Sequence, residues 1–168
     1  MMKAAQYSKR GHPPDIISVI EVDAPTAGPG EVVIDVEVSP INPSDILTLT
    51  GDYGILPKLP AYCGNEGVGR INAIGDGVTE FEIGTRVFLP VGGGTWRQQM
   101  VARTDDLVPV PLATDAVQMA MLSINPPTAY LMLRDFVRLN PGDWVIQNAA
   151  NSAVGRYVIQ LAAAQGAK

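Results

Sequence analysis

The chain has 168 residues, 46% of them apolar and 17% charged, which is the composition of a globular protein with a sizeable core rather than a disordered one. Its formal net charge is −5 and its cations are scattered, which argues against a nucleic-acid partner, since such binding is driven by neutralising phosphates with clustered Lys and Arg. A single cysteine excludes an internal disulfide and suggests a reducing compartment. No apolar run is long enough to span a bilayer, and MMKAAQYSKRGHPPD has neither the apolar heart of a signal peptide nor a convincing presequence pattern, so no membrane contact and a cytoplasmic location are expected.

The first hundred residues read as β-structure. In Glu31–Val38, Val32, Ile34, Val36 and Val38 alternate with Asp35 and Glu37, the period of a half-buried strand. Ile16–Val22, Val68–Ile74, Arg86–Val91 and Trp96–Ala102 are further strand candidates. Gly28-Pro29-Gly30, Gly75-Asp76-Gly77 and Gly92-Gly93-Gly94 separate them as turns. Short strands so punctuated suggest a barrel or a partly open β-domain.

Near residue 112 the pattern changes. Thr114-Asp115 can cap a helix over Ala116–Leu122, and Asn125-Pro126-Pro127 opens a longer one with an apolar stripe of Ala129, Leu133, Phe136 and Val137. Asn140–Asp143 reads as a turn, Trp144–Gln147 as a buried strand and Ser152–Gln165 as a helix. Strand, tight loop and helix make the opening of a βαβ unit. Such a unit needs a second parallel strand after its helix, and only Gly166-Ala167-Lys168 follow, so the sequence reads as the front part of a longer protein.

The loop Asn148–Gly155 lies where a dinucleotide fold holds pyrophosphate, but it meets the glycine fingerprint only at Gly155; Ala149 and Ser152 stand where glycines are usual. From these residues alone an ordinary capped turn and a phosphate loop are about equally good readings. Tyr53, taken alone, reads first as a loop tyrosine at a barrel mouth, although Gly51 and Gly54 beside it would let backbone approach a ligand.

Several segments together carry a resemblance: Ser39–Asp45, Gly51–Gly54, Gly64–Val68, Gly94–Trp96, Asn125–Tyr130 and Pro141–Ala149. In this order they resemble the medium-chain dehydrogenase/reductase superfamily, and most closely its zinc-free 2-enoyl thioester reductases. That resemblance implies a mixed α/β chain, with a GroES-like β-barrel domain over 1–112 and the start of a Rossmann domain over 113–168. Zinc alcohol dehydrogenases of the superfamily carry Gly-His-Glu, whose histidine binds zinc. Gly64-Asn65-Glu66 has asparagine there, and the chain offers only one Cys and one His, so no metal is expected.

The resemblance further implies NADPH as cofactor and an enoyl-CoA or enoyl-acyl-carrier-protein substrate. Tyr53 would be the proton donor, suited to that role because a phenol is protonated at neutral pH. Asn125 would lie near the nicotinamide or its ribose, with Asn151, Ser152, Ala153 and Val154 along the pyrophosphate. A role in fatty-acid synthesis and a homodimer at full length belong to the same implication. A zinc-free quinone oxidoreductase and a non-catalytic fragment are the alternatives. Asn125 also reads as a helix N-cap, Trp96 as core or channel wall, Glu66 as a bonder of backbone in its turn, and Cys63 as a small buried residue.

Overall fold

The computed structural model describes all 168 residues, and they divide into two compact units, Met1–Met121 and Leu122–Lys168. No helix is long and apolar enough to cross a membrane.

The first unit is built on two antiparallel sheets. β1 (Met2–Tyr7) lies between β2 (Ser18–Val22) and the two-residue β4 (Ala61–Tyr62). The larger sheet runs β7 (Gln99–Arg103), β3 (Glu31–Val38), β5 (Val68–Ile74), β6 (Arg86–Phe88), β8 (Val108–Val110). A bridge between Ala4 and Arg97 joins β1 to the approach of β7. Two short helices, α1 (Pro13–Ile16) and α3 (Ala116–Met119), and one of eight residues, α2 (Pro43–Thr50), complete the unit. Val32, Ile34, Ile71, Val87, Leu89 and Met100 form its main core, and Ala116, Met119 and Ala120 pack with Val68 and Val110.

β3 and β5 keep the bounds expected of them. Elsewhere the structure departs from the sequence reading. Residues 13–16, with prolines in the first turn, form α1, so the strand expected from Ile16 starts at Ser18. The strand expected over Trp96–Ala102 forms only from Gln99, because Trp96 turns inward to a small cluster with Tyr7, Leu49 and Cys63. In β3, Val33 is buried along with Val32 and Ile34, and the pairing with β5 shifts register between Val33 and Ile34, so strict alternation fails there.

In the second unit, α4 (Asn125–Asp135) packs on α5 (Ala153–Ala164) through Ala129, Leu133, Val158 and Ala162. Phe136 and Val137, expected in the stripe, lie past the helix end and are exposed. The expected buried strand Trp144–Gln147 is not formed: Ile146 is 95% exposed and Trp144 77%. A parallel strand is held by a ladder of backbone bonds, and here only Lys168 bonds to the backbone of residues 144–147. Lys168 donates its N–H to the Asp143 carbonyl (2.8 Å) and accepts from Val145 N–H (2.9 Å), the two-bond pattern by which one parallel chain flanks a residue of another.

Candidate functional site

The loop bearing Tyr53 is set by the helix before it. Pro43 occupies the first turn of α2, and the Asp45 carboxylate reaches back to the Asn42 N–H at 2.6 Å, closing the N-terminus as a capping box does. At the other end Gly51 adopts φ +95°, a left-handed cap that a side chain would strain. The N–H groups of Gly51, Asp52 and Tyr53 then converge on the Leu47 carbonyl at 3.0, 2.9 and 3.2 Å. Tyr53 is the last residue of this knot, its side chain 42% exposed and its hydroxyl bonded to no group of the chain. Ile55 and Leu56 extend the exposed apolar surface beside it.

Arg10 closes the far side of the same loop. Its Nη2 donates to the Pro57 carbonyl at 2.9 Å, its Cδ lies where a side chain on Gly51 would begin, and the neighbouring Gly11 N–H bonds Leu49 O at 3.0 Å. Sequence reasoning passed over Arg10, since nothing in its spacing marks it.

The glycine-bracketed stretch at 64–67 is a packing centre. A Cβ on Gly64 would sit 2.3 Å from Trp96 Cδ1, and one on Gly67 2.5 Å from the Val38 carbonyl. Ser39 and Thr95 hydroxyls both donate to the Glu66 carbonyl, at 2.7 and 2.9 Å, while Trp96 Nε1 donates to Pro40 O at 3.1 Å. The fully buried Glu66 carboxylate accepts from Asn42 Nδ2 at 2.7 Å, a side-chain amide from another element where backbone groups of the turn were expected as partners. Burial pushes the Asp45 carboxyl up, against the backbone N–H groups of Asn42 and Asn65 that hold it down. Burial likewise raises the Cys63 thiol to about 11, helped by the nearby Asp45 charge. No three His, Cys, Asp or Glu side chains are gathered as a metal site, and His12 lies in an exposed turn 3.2 Å from Asp15.

In the second unit the structure brings Asn151, Ser152, Ala153 and Val154 together at the start of α5. Ser152 is the N-cap, its Oγ accepting from Gly155 N–H at 3.0 Å. The N–H groups of Ala153 and Val154 have no partner in the chain and point out of the helix end, where the macrodipole favours an anion. Gly155 is required by contact: a Cβ there would meet the Ala149 carbonyl at 2.6 Å. Ala149 itself takes φ 49°, the conformation that glycine supplies in the usual fingerprint. The segment thus folds as a phosphate cradle does and fits a dinucleotide pyrophosphate, though only one fingerprint glycine is present. Asn125 is the first residue of α4; Ile124, not Asn125, is the cap, since the helix starts one residue earlier than its prolines suggested.

Residues 28–112 match the alcohol dehydrogenase GroES-like domain model. The bovine mitochondrial enoyl-[acyl-carrier-protein] reductase is 44% identical over 167 residues, which is 98% of this chain and 44% of that one. The 2-enoyl thioester reductase Etr1p of Candida tropicalis, also solved with NADP and crotonyl-CoA, superposes with TM-score 0.89 at 34% identity, covering 99% of this chain and 52% of that one. A quinone oxidoreductase of Pseudomonas syringae superposes at 0.87 with 31% identity, covering all of this chain and 51% of its own. The chain therefore spans about half the length of the relatives it matches.

The expectation of a cytoplasmic protein is overturned here, because the enoyl reductases it resembles are named mitochondrial. That expectation rested on a missing leader pattern, and the residues of a folded domain carry no address of their own. By matched domain, identity and fold, the chain belongs to the medium-chain dehydrogenase/reductase superfamily, and within it resembles the enoyl thioester reductases.

Proposed function

We propose that the protein to which these residues belong reduces trans-2-enoyl thioesters with NADPH in mitochondrial fatty-acid synthesis. The observation that carries this reading is the 44% identity, across nearly the whole chain, to a mitochondrial enoyl-acyl-carrier-protein reductase. The domain reading proposed with it is a GroES-like catalytic domain over 1–112 and the start of a Rossmann domain over 113–168, the compact units themselves dividing a little later, after Met121.

When bound, NADPH supplies a hydride to Cβ of the enoyl group. Saturating the double bond also requires a proton at Cα, and negative charge gathers on the thioester oxygen meanwhile. Tyr53 fits that need: its hydroxyl is committed to no other group, and it stands on a loop knotted at Leu47. It donates a hydrogen bond to the developing charge and passes its proton to Cα, leaving a phenolate that solvent reprotonates. The Ala153 and Val154 N–H groups and the Asn151 and Ser152 side chains hold the pyrophosphate, and Asn125 orients the nicotinamide end. No metal is needed, because Tyr53 takes the electrophilic role that zinc fills in metal-dependent members. The Etr1p/Etr2p heterodimer supports a two-subunit assembly for the whole protein, and a homodimer is the form proposed for it.

Tyr53→Phe in the full-length protein should lower kcat for crotonyl-CoA by about a hundredfold or more while leaving NADPH affinity near wild type. Undiminished turnover would remove Tyr53 from the mechanism. The second reading, a quinone reductase, draws on the Pseudomonas neighbour. It predicts NADPH oxidation with a quinone and none with crotonyl-CoA.

A further inference from the structure

We infer that Arg10 is a positioning residue for Tyr53, an inference that rests on the role of Tyr53 proposed above. The loop from Gly51 to Pro57 is fixed at its start by three N–H groups on the Leu47 carbonyl. From Gly54 to Leu56 no backbone N–H or carbonyl bonds to the rest of the chain. The far end is fastened by a side chain, the 2.9 Å bond from Arg10 Nη2 to the Pro57 carbonyl. Tyr53 is the last residue of the first anchor, so the untethered stretch Gly54–Leu56 begins directly beside it, and the second anchor limits how far that stretch can pull its side chain away.

Arg10 is itself placed to do this. Its aliphatic stem lies along Gly51, where any Cβ would meet Arg10 Cδ at 2.9 Å, so a side chain at Gly51 would push the arginine stem aside. The Gly11 N–H bond to Leu49 O fixes the backbone beside it. Arg10 forms no ion pair, and its Nε, shielded from solvent, has no partner. Its one hydrogen bond within the chain is therefore the one that spans the loop.

The test uses the full-length protein with Arg10→Met, which keeps the stem and removes the donor, and Arg10→Lys, which restores a donor of similar reach. Two readouts are taken together. Tryptic cleavage after Lys58, the exposed residue next to Pro57, reports the loop directly, with cleavage after Arg70 in β5 as the internal control. Crotonyl-CoA reduction reports Tyr53. Arg10→Met should raise cleavage after Lys58 about tenfold without changing that after Arg70, and should lower kcat about tenfold with little change in KM for NADPH. Arg10→Lys should recover part of both.

Unchanged cleavage after Lys58 would overturn the inference, and so would faster cleavage with unaltered kcat. If Tyr53→Phe keeps full turnover, the functional reading fails on its own account. The Lys58 rate then still decides whether Arg10 holds the loop.

Discussion

Ala149 occupies a left-handed conformation, φ 49°, that costs an ordinary residue about 1 kcal/mol. Ala149→Gly should therefore leave stability unchanged or raise it by up to about 1 kcal/mol, the relief of strain outweighing the entropy lost by glycine. Chemical denaturation checks it, and a clear loss would mean that the Ala149 methyl packs usefully. Cys63 makes the opposite kind of prediction. Its thiol is buried in the cluster of Tyr7, Ile16 and Leu49 and pushed up to about 11, so the native protein at pH 7.5 should react slowly with a thiol reagent. Added denaturant should release the full equivalent at once. The inert cysteine was legible from the absence of activating neighbours in sequence; Arg10 was not, since its contacts lie some forty residues away at Gly51 and Pro57.

Strands β3, β5 and β6 share one electrostatic feature. Glu37 accepts from Arg70 Nε and from Arg86 Nε (2.6 Å), while Arg86, nearly buried, also donates to the carbonyls of Leu112 and Thr114. Burial alone would raise the Glu37 carboxyl, but the hydrogen bonds and charges of Arg86 and Arg70 outweigh it and leave it below the usual carboxylate range. A depressed folded-state value contributes stability that is present above the ordinary 4.5 and is lost as pH falls through the folded value. Glu37→Gln should thus cost about 2 kcal/mol at pH 7, because Arg86 is left without its counter-charge, and progressively less at an acid pH taken below 4.5. Denaturation of both proteins at the two pH values tests the sign. Period-two alternation revealed β3 itself. It did not reveal the shift at Val33, because a bulge is a property of a strand and its partner together.

At the scale of the molecule, class and order of elements were legible because turn glycines and strand periodicity are local signals. What escaped were features that depend on distant pairing. The two-residue β4 exists only against β1, and α1 interrupts a run that looks like strand until its prolines are given a first turn. The glycine motifs were recognised as family marks, but their cause is contact: Gly64 admits Trp96, Gly94 admits Tyr62, and Gly155 admits the Ala149 carbonyl. The candidate site divides likewise, since the Ser152 cap could be read from the loop, whereas the amide of Asn42 on the Glu66 carboxylate could not.

The segment that Lys168 flanks has a consequence for handling the polypeptide. Around Trp144 two hydrogen bonds are made, yet the backbone of Ile146 bonds to nothing and its side chain is open to water. Such a ribbon can recruit a like ribbon from another molecule. The apparent mass that light scattering gives for these 168 residues should therefore rise with concentration, and Ile146→Lys should hold it near the monomer value by putting a repelling charge on every copy. A net charge of −5 spread over the whole surface would then protect less than one charge placed on the ribbon itself.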